Sequence, residues 1–139
     1  MDKEIKSIMR KIDTTILSVP GIGYTLGAII VSEIGNIENF DNPGKLLAFA
    51  GLDPSTYQSG NYTAAKTPMV KRGSTYLRWA LLQAARLVAY RNVTFSFYYE
   101  KKRSQGKHHF VALTHTAKKL VRVLFYLLKS GQNYAPQAG

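Results

Sequence analysis

The sequence predicts a mainly α-helical fold, with a helix-hairpin-helix element, further helices, and a short β-hairpin or extended loop around residues 53–73. Apolar residues recur in several stretches at the i, i+3, i+4, i+7 spacing of amphipathic helices. Gly and Pro fall between these stretches, where helices end. The 139 residues are 45% apolar, which is enough for one core. We therefore expect a single domain over residues 1–131 and a flexible tail over 132–139.

The first two helices are predicted on either side of SVPGIG, as a helix-hairpin-helix over about residues 8–35. Pro20 lacks an amide hydrogen, while Gly21 and Gly23 permit positive φ, so a sharp turn is expected there. The second helix, TLGAIIVSEI, ends at Gly35. The first helix has about four turns. It carries an apolar face made by Ile5, Ile8, Met9, Ile12 and Ile16.

A third, short helix is predicted in NFDNPGKLLAFAG. Asp41 or Asn42 suits the N-cap, because a short polar side chain can accept a hydrogen bond from the first turn. Pro43 suits the first helical position, and Gly51 suits the end of the helix.

The segment after this helix loses helical periodicity and is predicted to form the β-hairpin or extended loop over 53–73. Pro54, Gly60, Pro68 and Gly73 punctuate it. The triplets TYQ and NYT, which favour strands, flank Ser59 and Gly60.

Three helices are predicted over residues 74–131. Ser74 is expected to cap the first, which continues to about Asn92 with an inner face of Leu77, Leu81, Ala84, Leu87 and Val88. TFSFYYEKKRSQGKHH predicts an aromatic helix that becomes basic and breaks at Gly106, with helix-packing roles for Phe95, Phe97, Tyr98 and Tyr99. The last helix runs from about Phe110 to Ser130 and ends at Gly131. Its predicted inner face is made by Leu113, Leu120, Val121, Leu124 and Leu128.

The net charge of +11 is unevenly distributed along the chain. Residues 1–53 carry five Lys or Arg and seven Asp or Glu, whereas residues 54–139 carry fourteen and one, Glu100. Such asymmetry favours a polyanion, since each neutralised phosphate releases counterions. An anionic membrane is the rival partner, but binding to its surface requires an amphipathic helix with lysines lining one whole face. A membrane-spanning helix is not indicated either, because the sequence contains no run of eighteen apolar residues. We therefore expect nucleic acid and no membrane.

Six residues are candidates for nucleic-acid contact. Gly21 and Gly23 would present backbone amides to a phosphate at the start of the second helix, although an ordinary helix-to-helix turn also uses Pro and Gly. The other four are basic and precede or enter the helix after residue 74: Lys66, Lys71, Arg72 and Arg78. Arg78, one turn inside that helix, could reach the same phosphate as Lys71 or Arg72. A solvated basic face is the alternative, and we prefer it for Arg86 and Arg91.

Ser59 is either a turn residue or a nucleophile. A Ser-Gly pair is common in turns for conformational reasons, and no histidine adjoins it to form a hydrolase triad. Basic residues that orient a phosphate could nevertheless serve a serine that attacks phosphodiesters. His108, His109 and His115 do not make a zinc pattern, and the sequence contains no cysteine, so we expect neither a metal nor a cofactor in this chain. We regard the three histidines as surface or core residues.

The residues SVPGIGYTLGAIIVSEIGNIENFDNPGKLLAFAGLDPSTYQSG and MVKRGSTYLRWALLQAA resemble the C-terminal transposase domain of the IS110 and IS116 insertion-sequence transposases, the bridge-RNA-guided serine recombinases. The resemblance implies a mainly helical fold and a protein that cuts and rejoins DNA during transposition. The nucleophilic serine of the family's Gln-Ser-Gly segment matches Ser59. Lys71, Arg72 and Arg78 match basic positions of the family.

The resemblance also implies partners. These are DNA, a guide RNA, further copies of the protein, and an N-terminal RNase H-like domain whose acidic residues bind Mg²⁺. We expect this domain to be absent from the chain, which would then be a fragment that binds nucleic acid without cleaving it alone. The expected location is the cytoplasm of a bacterium or archaeon, in association with the nucleoid. Two alternatives stay open: a non-catalytic helix-hairpin-helix module, and a structural domain whose basic half docks an acidic protein.

Overall fold

The structure, a computed structural model, describes residues 15–52 and 68–135, with side chains for 15–52 and 75–135. These residues form five α-helices and two short 3₁₀ turns, Thr15–Ser18 and Ile37–Asn39, and contain no strand. The helices are α1 Tyr24–Ile34, α2 Pro43–Phe49, α3 Pro68–Arg91, α4 Val93–Ser104 and α5 His109–Ser130. The mainly α prediction is confirmed. The predicted first helix up to residue 14, and residues 53–67 of the predicted hairpin, lie outside the described residues.

The chain reaches α1 through a tight turn. Thr15–Ser18, predicted as the end of the first α-helix, is a 3₁₀ turn in which the Val19 amide donates to the Ile16 carbonyl at 3.2 Å. The cause is Pro20, which disfavours α-helical geometry at the residue before it. Gly21 follows with a φ of 109°. After α1, Gly35 ends the helix as predicted, with a φ of 69° and its amide donating to the Val31 carbonyl.

Capping residues set the bounds of α2. Asn42 rather than Asp41 is the N-cap, and its Oδ1 accepts from the Lys45 amide at 3.0 Å. Pro43 occupies the first turn, and Gly51, with a φ of 73°, follows the end of the helix. The prediction for this helix is confirmed.

Helix α3 begins earlier than predicted. Ser74 was expected to cap it, but the helix begins at Pro68, so residues 68–73 are helical rather than part of a hairpin or loop. The physical reason is that Pro suits a first helical turn and Met, Val, Lys and Arg tolerate helix well, while one interior Gly costs only about 1 kcal/mol. Its end at Arg91 agrees with the sequence.

Helix α3 is the centre of the fold, since α1, α2, α4 and α5 all pack against it. Its inner face buries Leu77, Ala80, Leu81, Ala84, Ala85 and Val88. Leu87 was predicted to be buried but is 38% exposed, because adjacent Val88 occupies the inner face and neighbouring helical residues point about 100° apart.

Helices α4 and α5 complete the core. Phe95 is fully buried, but Phe97, also predicted to pack, is 73% exposed because two residues along a helix turn it about 200° away. Gly106, with a φ of 84°, separates the two helices, and Gly131 ends α5 with a φ of 72°, both as predicted. The inner residues predicted for α5 are buried, except Leu128, which packs partly exposed at the edge of the core.

Tyr134 anchors the segment after α5. Its amide donates to Ser18 Oγ at 2.7 Å and its hydroxyl donates to Asn92 Oδ1 at 3.4 Å. Asn92, 6% exposed, also caps α4 by accepting from the Thr94 amide. The anchor lies inside the segment that the sequence assigns to a flexible tail. Among the helices of residues 15–52 and 68–135, none combines the length and apolarity needed to cross a membrane.

Candidate nucleic-acid interface

Helix α3 carries three of the basic residues that the sequence selects. Lys71 and Arg72 lie in its first turns, for which only the backbone is described, and Arg78 follows with an exposed side chain. Because α3 begins at Pro68, Arg78 is nearly three turns inside the helix rather than one. Lys71 and Arg78 are seven residues apart, so their backbones lie about 10 Å apart along the helix axis. Ser59 and Lys66 lie outside the described residues.

The turn before α1 holds the two candidate glycines in different environments. A Cβ on Gly21 would lie 2.9 Å from the Val88 amide nitrogen and 3.0 Å from the Leu87 carbonyl. Gly21 therefore lets the turn pack closely on α3, and this contact sufficiently explains it. Gly23 is exposed, has nothing within 4 Å of its Cβ position, and caps α1 without a side-chain hydrogen bond. Of the two, Gly23 leaves more room for a phosphate.

A lysine cluster lies where α4 and α5 face each other, and the sequence did not single it out. Lys102 Nζ and Lys119 Nζ lie 5.3 and 5.1 Å from the ring centroid of Tyr98, so two cations share one aromatic ring. Lys107 and Lys118 complete the cluster, because both act electrostatically on His115, as Lys102 does. The four residues Lys102, Lys107, Lys118 and Lys119 are called the lysine cluster below.

The positive charge of the lysine cluster acts on the nearby side chain of His115. Partial burial lowers the pKa of His115 below its ordinary 6.5, and the positive charges of Lys118, Lys102 and Lys107 lower it further. Several cations thus lie close enough to disfavour one more positive charge. A bound polyanion would relieve this repulsion.

A groove of about 540 Å³ begins at Tyr98 and Lys119 and runs between α4, α5 and the segment after α5. Arg122 lies on its α5 wall, and three tyrosines line it: Tyr98, Tyr126 and Tyr134. None of the described residues that line it is acidic. Cations that hold phosphates beside aromatic rings that stack on bases are typical of nucleic-acid grooves. This surface is called the α4–α5 groove below.

Some polar side chains around the turn between α4 and α5 have local structural roles. Arg103 Nη1 donates to the Lys107 carbonyl at 3.1 Å and so braces the turn before α5. His108 caps α5 by accepting from the Phe110 amide, and His109 Nδ1 hydrogen-bonds the Tyr99 hydroxyl. Among the described residues, no group of three or more His, Asp or Glu is arranged to hold a metal ion. All three histidines lie at or near the surface, within the range that the sequence allowed.

The sequence missed the α4–α5 groove because its residues come from separate helices. Tyr98 was assigned to packing, and Lys119 and Arg122 were not considered. The available signal was the spacing within KKLVR, where Lys118 and Lys119 precede Arg122 by four and three residues, so that each can neighbour Arg122 on the helix surface. Only the packing of α4 on α5 shows that this face meets Lys102.

Comparison with known proteins places the chain among insertion-element proteins. Residues 13–100 match the sequence model of the Transposase IS116/IS110/IS902 family. The chain is 33% identical over 137 residues to the insertion element IS116 uncharacterized 44.8 kDa protein of Streptomyces clavuligerus, covering 97% of this chain and 34% of that relative. It is 31% identical over 87 residues to the transposase for insertion sequence element IS1111A of Coxiella burnetii, covering 61% of this chain and 24% of that protein.

A third relative is the insertion element IS110 uncharacterized 43.6 kDa protein of Streptomyces coelicolor, 29% identical over 84% of this chain and 29% of that protein. The chain thus spans about a third of the length of these curated relatives. No solved structure matches it.

Proposed function

This chain belongs to the Transposase IS116/IS110/IS902 family, and we propose that it supplies the serine-bearing part of a DNA transposase, with Ser59 as the nucleophile. In the same proposal, the 139 residues alone bind nucleic acid and do not cleave it. The observation that carries the proposal is the span of the family match. Residues 13–100 include Ser59 and every basic candidate from Lys66 to Arg78.

The proposed chemistry is a phosphoryl transfer to serine. Ser59 Oγ gives up its proton and attacks a DNA phosphorus, a bond forms between them, the bond from phosphorus to one strand oxygen breaks, and that leaving oxygen takes up a proton. Rejoining is the reverse attack by a strand hydroxyl, which releases the serine. Each step exchanges one phosphoester bond for another, so the energy of the bond is retained and no external energy source is needed. Guanidinium and ammonium groups that follow in the chain would stabilise the charge on five-coordinate phosphorus.

The described surfaces support DNA binding in two places. Arg78 is exposed on α3, in the helix that also contains Lys71 and Arg72, and would contact the DNA backbone. The α4–α5 groove, with Lys119 and Arg122, would hold a second stretch of backbone. Contacts at both places would fix the register of DNA without reading bases.

The remaining partners rest on the family resemblance. We propose that the complete transposase also uses a guide RNA and an RNase H-like domain, which would bind Mg²⁺ through its own acidic residues. Magnesium there would polarise a phosphate oxygen and activate an attacking oxygen. The residues described here provide no such acidic cluster, so each step above uses only the serine and basic residues.

The serine assignment is tested with Ser59→Ala in the complete transposase. We expect strand exchange to be lost, because the alanine methyl group cannot attack phosphorus, while binding of duplex DNA is retained. Ser55→Ala, four residues earlier in the same segment, is the matched control and should keep strand exchange. The readouts are recombination of a donor and target plasmid, and a covalent protein–DNA adduct resolved by denaturing electrophoresis.

The same experiment separates the proposal from a non-catalytic helix-hairpin-helix module. A module that only binds DNA would give no adduct with either serine variant or with the wild-type protein. Strand exchange by Ser59→Ala at the wild-type level would refute the nucleophile assignment.

A further inference from the structure

Two tyrosine rings of the α4–α5 groove are held in place by hydrogen bonds. Tyr126 is 58% exposed, and its hydroxyl donates to Gln132 Oε1 at 3.2 Å. Tyr134 is partly buried, with its amide bound to Ser18 and its hydroxyl bound to Asn92. These bonds restrict rotation of both side chains, so each ring keeps its place in the wall of the groove. The groove is therefore more than a basic surface, because it also has fixed aromatic walls.

Three residues of α5 form the long wall of the groove. Lys119, Arg122 and Tyr126 follow one another at intervals of three and four residues, which makes them neighbours along one stripe of the helix. Lys102 of α4 adds charge at the Lys119 end, since both lysines lie over the ring of Tyr98. Cations thus lead along the wall to an exposed aromatic ring. A nucleic-acid strand has the matching parts, because each nucleotide carries a phosphate and a flat base.

The opposite wall, in the segment after α5, supplies amide side chains. Gln132 and Asn133 line the groove together with Tyr126 and Tyr134. An amide side chain both donates and accepts hydrogen bonds, so it suits the edge of any base that lies on a neighbouring ring.

The size of the groove selects an unpaired strand. Its volume of about 540 Å³ is that of a site for a small organic molecule, which suits a base with its sugar. A double helix is too wide to enter and lies across such a groove, where it offers phosphates only. The bases of a duplex are stacked on one another, so their faces do not reach a tyrosine ring. Unpaired bases do, as in proteins that stack single strands on aromatic side chains.

The same features disfavour an acidic protein segment as the occupant. Aspartate and glutamate side chains would pair with Lys119 and Arg122, but they have no flat face to lie on Tyr126. Charge and aromatic rings together are satisfied by nucleotides.

We propose that the α4–α5 groove binds an unpaired stretch of a nucleic-acid strand, with phosphates on Lys119 and Arg122 and a base stacked on Tyr126. This inference rests on the proposed function, because it specifies which form of nucleic acid the groove takes. DNA and RNA strands share the required chemistry, a phosphate beside a free base. Stacking accepts any base, so it is compatible with backbone contacts that do not read sequence.

The test compares binding of three probes by the 139-residue chain after nuclease treatment: oligothymidylate, oligouridylate and a duplex of the same length. Fluorescence anisotropy of labelled probes gives the affinities. Tyr126→Ala should weaken binding of the single strands about tenfold, as expected for the loss of one stacked base, and leave duplex binding unchanged. Arg122→Gln should weaken binding of single strand and duplex alike, because both carry phosphates. Tyr76→Ala removes a similarly exposed tyrosine, 67% exposed on α3, and should have no effect.

A second readout detects stacking itself. An oligothymidylate with one 2-aminopurine base loses fluorescence when that base stacks on an aromatic ring. Wild-type protein should quench it, and Tyr126→Ala should not. Tyr126→Phe should quench it as the wild type does, because the phenyl ring still stacks and only the hydrogen bond to Gln132 is lost.

The outcomes separate this inference from the proposed function. Failure to bind any of the three probes would overturn both. Duplex binding together with single-strand binding that is insensitive to Tyr126→Ala would overturn the inference alone, and so would equal losses on duplex and single strand. Displacement of the labelled strand by polyglutamate as readily as by unlabelled oligothymidylate would favour an acidic protein instead. A loss confined to oligothymidylate or to oligouridylate would support the inference and identify the strand as DNA or RNA.

Discussion

Gly21 shows how one residue can satisfy a motif and a packing constraint at once. The SVPGIG pattern predicts that its backbone serves a phosphate, yet its Cβ position is closed by the backbone of α3 at 2.9 Å. The positive φ of 109° adds a second reason for glycine. The packing of this turn therefore accounts for Gly21, and a phosphate contact at Gly23, whose surroundings are open, stays a prediction.

His115 gives a residue-scale prediction for pH. Its pKa in the free protein should lie below 6.5, because burial and three lysines oppose its protonation. The unfolded chain then binds more protons than the folded one just below pH 6.5, so this group makes stability fall as pH falls through that window. Lys118→Gln should raise the pKa, and so should bound DNA, whose phosphates offset the lysine charges.

Titration of the histidine signals by NMR measures both effects. Lys45→Gln is the control, since Lys45 is an exposed lysine on α2 that contributes nothing to the lowered pKa. A His115 pKa at or above 6.5 in the free protein would contradict the electrostatic description of the lysine cluster.

At the scale of elements, the sequence predicted the ends of helices better than the beginning of α3. Gly35, Gly106 and Gly131 mark breaks correctly because each takes a positive φ that other residues avoid. The beginning of α3 was misplaced because Ser74 resembles an N-cap, while Pro68 carries an equally valid signal six residues earlier. Local capping chemistry cannot choose between two permissible starts.

Gly73→Ala tests the corrected beginning of α3. Gly73 lies inside this helix, and alanine there should raise the free energy of unfolding by up to about 1 kcal/mol, because glycine loses more backbone entropy in a helix. Urea denaturation followed by far-ultraviolet circular dichroism measures it. A comparable loss of stability would instead indicate that residue 73 adopts a conformation that alanine resists, as in a turn. Ala89→Gly, within the same helix, is the reverse control and should destabilise.

The candidate site shows the same division between local and non-local information. Arg78 was selected from the sequence because its signal is local to one helix, and its role in binding stays a prediction. The α4–α5 groove was not, because Tyr98 and Lys119 meet only when two helices pack, which depends on their buried faces. The exposure of Leu87 and Phe97 was missed for a related reason, since helical spacing alone does not show which edge of a face a neighbouring helix covers.

At the scale of the whole molecule, the positive net charge predicts how the proposed binding of DNA depends on salt. Lys119→Glu with Arg122→Glu should weaken binding of duplex DNA and reduce the slope of log K against log salt by about 2, if each residue neutralises one phosphate. Fluorescence anisotropy at several salt concentrations measures both. Lys45→Glu with Arg91→Glu makes the same change in net charge at two exposed residues that do not line the groove, and should change the slope less. Equal losses in the two double variants would show that net charge, rather than the α4–α5 groove, governs binding.

The hydrogen bond between Tyr134 and Ser18 joins residues that are 116 positions apart. It brings the place where the chain enters the described fold beside the place where it leaves. A unit with neighbouring ends can be inserted into a longer polypeptide without stretching either connection. The chain therefore enters and leaves the described fold on the same side of the domain.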